Sequence, residues 1–247
     1  MKVAVINFSG NVGKTTIARH LLAPRIDGAE LIAVESINAD EGQIEALRGS
    51  QFGELQEYLQ TVDNVVVDIG ASNVEELLTL MRKYRGSHED FDYFVVPTVP
   101  ALKQQQDTIA TLTALARLGI SASRLRVVFN QVEDDADVRE EFDTVLAFIE
   151  QNPVTQVSPQ CKLGANEIYE RVKGTESNLA ELAADETDYK ALIAKAHGTA
   201  DKVALARKLA TRRLARGVVP ELDACFAALG LDTDPKRLDV SASRQAA

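Results

Sequence analysis

The sequence is short of several things, and each shortage removes a class of protein. Only two cysteines occur, Cys161 and Cys225, and they stand far apart. Neither a disulfide framework nor a cysteine-bound metal cluster is expected, and a reducing cytoplasm is the expected setting. The three histidines, His20, His88 and His197, lack ligand spacing, and no Ser-His-Asp order stands out. No apolar run approaches the ~20 residues that cross a bilayer. The opening "MKVAVINFSG" is too short and too glycine-broken for a signal peptide and reads as a strand. Positive charge is short as well: the formal net charge is -10, which argues against polyanion binding by the whole surface. No internal repeat is evident.

What remains is a chain of 247 residues, 45% hydrophobic and 26% charged. That is enough for one α/β domain with a full core and a small appendage. "KVAVINF" (2–8), "ELIAVES" (30–36), "NVVVDIG" (64–70), "YFVVPTV" (93–99) and "LRVVFNQ" (125–131) read as strands covered on both faces. Helical patterns separate them. Within 135–151, Val138, Phe142, Val145 and Ile149 mark one helix face. The alternation predicts a mostly parallel sheet flanked by helices, with its site at the carboxyl ends of the strands. Beyond residue 152 a short strand, a loop and a helix beginning near Gly164 are expected. From about 176 the chain reads as helical, and 232–247 as a loose polar tail.

Right after the first strand comes "NFSGNVGKTT" (7–16). A strand, a glycine turn and a helix opening on Lys-Thr-Thr is the context of a phosphate-binding loop. Backbone N–H groups from Asn11 to Thr15 and the helix dipole would attract an anion. Lys14 would reach the β- and γ-phosphates, and the Thr15 hydroxyl would join a Mg²⁺ shell. The usual G-x-x-x-x-G-K-[ST] motif would put glycine where Phe8 stands. The stretch instead resembles the deviant loop of the ParA/MinD family, K-G-G-x-G-K-[ST]-T. Gly10, Gly13, Lys14, Thr15 and Thr16 agree, Asn11 replaces a glycine, and Ser9 replaces the signature lysine.

The resemblance covers most of residues 1–195 and within the family is nearest to plasmid stability and mobilisation proteins of the StbB and MobD type. It implies a P-loop domain over 1–197, followed by a basic helical extension over 198–231. It implies ATP and Mg²⁺, held by Gly10, Asn11, Val12, Gly13, Lys14, Thr15 and Thr16, with Asp68 and Thr15 at the metal. Gly70 would lie in the turn that senses the γ-phosphate. Asn130 would hydrogen-bond adenine, and "VSPQCKLGANEIYERVKG" (157–174) would close over the base. "NQVE" (130–133) lacks the Lys and Asp of a guanine-selective motif. "YFVVPTVPALKQQQDT" (93–108) would lead into a helix at a dimer face, with Lys103 and the glutamines after it at the surface or interface.

Two departures bear on hydrolysis. In the family the signature lysine touches the partner's nucleotide; Ser9 carries no charge, and loss of an equivalent cationic finger costs roughly 10³–10⁵ in rate. In "AVESINADEG" (33–42) Glu35 matches the first acid of the family's water-holding segment, while Ile37 takes the second acid's position. Asn38 or Asp40 could hold the water instead, or both could be ordinary loop polars. Nucleotide binding through Lys14, Thr15 and Asp68 with slow or negligible turnover is the expectation. A non-hydrolysing adaptor is the alternative. A small-molecule kinase or ligase of the dethiobiotin-synthetase type would need a second-substrate pocket that the sequence does not show.

Residues 201–217, "DKVALARKLATRRLARG", carry six Lys or Arg against one Asp. Lys208, Arg212 and Arg216 recur every four residues with Arg207 and Arg213 beside them, and Val203, Ala206, Ala210 and Leu214 take another side. Such a helix suits DNA phosphates or an acidic partner. Its small, non-aromatic apolar side disfavours membrane insertion. A homodimer formed with ATP, binding non-specific DNA or a plasmid-encoded DNA-binding partner, is what the family likeness adds.

Overall fold

Among the described residues the five apolar runs and a short strand after residue 160 form one six-stranded, wholly parallel sheet. Its strands are β1 (Lys2–Val5), β2 (Glu30–Val34), β3 (Val65–Ile69), β4 (Tyr93–Thr98), β5 (Leu125–Val132) and β6 (Lys162–Gly164). Their order is β2-β3-β1-β4-β5-β6. The structure is a computed structural model and describes residues 1–34, 49–175 and 177–231. Along β1 and just past it, Val3 and Val5 face one side of the sheet and Ala4 and Ile6 the other, all fully buried. This two-residue alternation with apolar groups on both sides requires cover on both faces.

One face is covered by α2 (Gly49–Leu59), α3 (Val74–Lys83), α4 (Leu102–Arg117), α5 (Val138–Glu141) and α6 (Asp143–Gln151). The periodic face of 135–151 is buried as expected, but across two helices that meet at Phe142. Gln105, expected at the surface or interface, lies inside: its Nε2 donates to the carbonyls of Pro100 and Glu141, and its Oε1 accepts from the Val145 N–H. A buried amide keeps its place only when donor and acceptor are both used, and here they join α4 to α6.

The other face is covered by α1 (Lys14–Thr16), which runs on through a π-helical segment (Ile17–Leu22), by α7 (Ile168–Arg171), α8 (Leu179–Ala184) and by the 31-residue α10 (Thr199–Leu229). A further helix, α9 (Tyr189–Lys195), stacks with α8 on α10. The buried side of α10 is Ala215, Val218, Leu222, Cys225 and Leu229, spaced by three and four residues. Of the apolar side read over 203–214, Leu214 packs against this cluster, while Val203 is 44% exposed. Buried Arg126 holds the end of α10, donating from Nε to the Leu229 carbonyl at 2.6 Å and from Nη2 to that of Gly230 at 3.4 Å, with its guanidinium over the Tyr93 ring. A cation suits the negative end of a helix dipole. Among the described residues no helix is long and apolar enough to cross a membrane.

Candidate functional site

The sheet order places β1 between β3 and β4, with Val5 paired to Asp68. The loop leaving β1 therefore lies beside the carboxyl end of β3, at a crevice where parallel sheets bind ligands. Asn7 fastens the start of this loop. Fully buried, its Nδ2 donates to the Pro97 carbonyl and to Thr108 Oγ1, both at 2.8 Å, and its Oδ1 accepts from the Ser9 N–H. At the far end Gly13 has φ 84°, a left-handed conformation that glycine adopts at little cost. A Cβ there would lie 2.2 Å from Asn130 Nδ2, which donates to the Val12 carbonyl at 2.9 Å. Val12 itself is buried in the core.

Lys14 is 5% exposed. Its Nζ donates to the carbonyls of Ser9 at 2.5 Å and Asn7 at 3.2 Å. Burial lowers its pKa to about 8, against the opposing attraction of Asp68. Thr15 Oγ1 donates to Asp68 Oδ2 at 2.6 Å. Gly10, Asn11, Gly13, Lys14, Thr15 and Thr16 line a cleft of about 590 Å³ together with Asp68 and Gly70. An entering phosphate could take Lys14 from its two carbonyls. Thr15 and Asp68 are hard oxygen donors in contact, which fits Mg²⁺, an ion that takes one or two protein groups together with phosphates and waters. Among the described residues no cluster of three His, Cys, Asp or Glu could hold a metal by itself.

Ser9 is buried, and its part in the cleft is the carbonyl that accepts from Lys14. Two other cations, Arg19 and Lys173, line the same cleft. The sequence reading missed both. Arg19 follows Thr15 by four residues, so helical spacing puts them on one face and could have pointed to it; Lys173 arrives from a distant loop without a local signal. His20 is a packing residue: burial and then Arg19 lower its pKa to about 4, and its ring lies 5.7 Å from that of Tyr169.

A second pocket of about 380 Å³ adjoins the cleft, lined by Asn130, Gln131 and the turn Gly164 to Glu167. This is the loop expected to close over a base. The Gly164 N–H is held there by the Glu221 carboxylate of α10.

The basic row of α10 divides. Arg207, Lys208 and Arg213 are exposed. Arg212 donates to the carbonyls of Thr187 at 2.5 Å and Asp185 at 3.1 Å, and lies over the Tyr189 ring. Arg216 donates to the carbonyls of Ala183 at 2.9 Å and Asp185 at 3.1 Å. These two hold the turn between α8 and α9. Glu35, Ile37, Asn38 and Asp40 lie outside the described residues.

No family model matches this chain, and no curated protein matches it. Among solved structures, apo McdA from Cyanothece is 15% identical, with 87% of this chain and 99% of that chain covered and a TM-score of 0.49. MinD in the MinC:MinD cell division complex of Aquifex aeolicus is 11% identical, with 86% and 95% covered and a TM-score of 0.49. The pNOB8 ParA structure is 12% identical, with 90% and 98% covered and a TM-score of 0.49.

Proposed function

We propose that this chain is an ATP-binding switch of the ParA/MinD type that hydrolyses its nucleotide weakly. The observation that carries this is the meeting of Lys14, Thr15 and Asp68 beside a glycine turn at the carboxyl edge of a parallel sheet. That arrangement supplies a cation for phosphates, oxygens for Mg²⁺ and open N–H groups on the turn. The uncharged, buried Ser9 supports slow turnover, because charge developing on the γ-phosphate finds one cation fewer. In this reading two ATP-bound chains pair through the face that carries Leu102, which is 58% exposed at the head of α4. Arg207, Lys208 and Arg213 then offer charge to non-specific DNA or to a plasmid-encoded DNA-binding partner, in partition, stability or mobilisation of the StbB/MobD type.

Ser9 also favours a second reading, a nucleotide-gated adaptor without turnover. Steady-state ATP hydrolysis with Mg²⁺, with and without non-specific duplex DNA and beside Lys14→Ala, separates the two. Turnover that rises with DNA and vanishes in Lys14→Ala supports the switch. Tight ATP binding with no turnover above the variant supports the adaptor. Absence of ATP binding sinks both.

A further inference from the structure

We propose that Gln131 reads the sugar of the bound nucleotide, an inference that rests on the ATP reading above. Among the described residues Gln131 alone, outside the glycines, has a positive φ, 59°. Residues with a Cβ avoid this region, Asn and Asp less than the rest. The cause is a bulge in the β5–β6 ladder: Asn130 pairs with Leu163 and Val132 with Gly164, which leaves Gln131 without a partner. Bulges beside sites re-aim a single side chain.

The two neighbouring amides have different tasks. Asn130 is buried and gives its Nδ2 to the phosphate loop through the Val12 carbonyl. Gln131 is exposed, and its side chain makes no hydrogen bond to another described residue. It lines both the phosphate cleft and the adjoining pocket. With phosphates at Lys14 and the base beside Gly164 to Glu167, the ribose must cross the wall that the two cavities share. That wall is Gly13, Thr16, Gln131, Tyr169 and Glu170. Gly13 has no side chain, the Tyr169 hydroxyl is buried near Glu221 and Cys225, and Glu170 is paired with Lys173 at 3.5 Å. Thr16 offers a short, half-buried hydroxyl on the helix. Gln131 offers a reaching carboxamide with donor and acceptor together. Vicinal ribose hydroxyls, each able to donate and accept, are its complement.

Calorimetric titration of the full chain with Mg²⁺-ATP and Mg²⁺-dATP tests this with no label on the sugar. The expected preference of the unaltered chain for ATP is about five- to tenfold, the worth of one net hydrogen bond. Gln131→Gly removes the amide and relaxes the positive φ, so the variant folds without penalty from the substitution. Its ATP/dATP ratio falls to about one. A ratio near one in the unaltered chain, a ratio unmoved in Gln131→Gly, or an equal loss for both nucleotides overturns the proposal while leaving ATP binding in place. Failure of the unaltered chain to bind ATP overturns the nucleotide reading and this inference with it.

Discussion

Lys14 carries its charge where burial resists it, and this makes two properties move oppositely with pH. Its folded pKa is lowered from 10.5 to about 8. The unfolded chain holds the proton more tightly, so Lys14 makes stability rise as pH increases from about 8 to 10.5. Phosphates favour the charged form, so ATP binding takes up a proton and weakens over the same rise. Denaturant midpoints measured against pH show the first effect, and calorimetry in buffers of different ionisation enthalpy shows the second. Lys14→Met removes the rise in stability. A midpoint profile identical in the variant would mean that Lys14 does not titrate in this window. At this scale the sequence is legible where chemistry is local. Gly13, Lys14 and Thr15 lie in one motif, and Asp68 ends an evident strand. Gln131 and Lys173 are harder to find, because a bulge and a distant turn bring them to the cleft, while Arg19 needs only the helical spacing from Thr15. The Asn130 tie to Val12 also depends on a contact 118 residues away in sequence.

Among the elements, α10 shows how far periodicity reaches. A four-residue recurrence identifies Lys208, Arg212 and Arg216 as one row but does not reveal what the row faces. The turn between α8 and α9 takes Arg212 and Arg216, while Arg207, Lys208 and Arg213 remain in solvent. The two sets therefore answer mutation differently. Arg212→Ala loses bonds to two carbonyls and the stacking on Tyr189, and is expected to cost about 1–2 kcal/mol in thermal or denaturant unfolding. The pair Arg207→Ala and Arg213→Ala leaves stability within about 0.5 kcal/mol. The same pair weakens duplex DNA binding and reduces the slope of log K against log salt by about 0.9 for each phosphate that the helix no longer neutralises. Equal affinity and slope in that variant would remove this helix from any DNA surface.

For the whole molecule, the parallel α/β architecture is open to reading because strands apolar on both faces need two helical layers. The share of α10 in the second layer is not, since its buried stripe is small and lies within an alanine-rich helix. Arg126 gives that docking its end point. Arg126→Ala leaves the carbonyls of Leu229, Gly230 and Ser123 without their donor and is expected to cost about 2–4 kcal/mol. Denaturant unfolding checks it, with the midpoint lowered and the slope unchanged. The same docking has a temporal consequence. Val3 and Val5 share their apolar cluster with Ala215 through Leu229. At elongation rates of about 5–20 residues per second, tens of seconds separate the synthesis of these partners. Through that interval the part of this face that α10 covers stays exposed beside the earlier helices, and chaperone binding to the nascent chain is expected to end once the last long helix arrives.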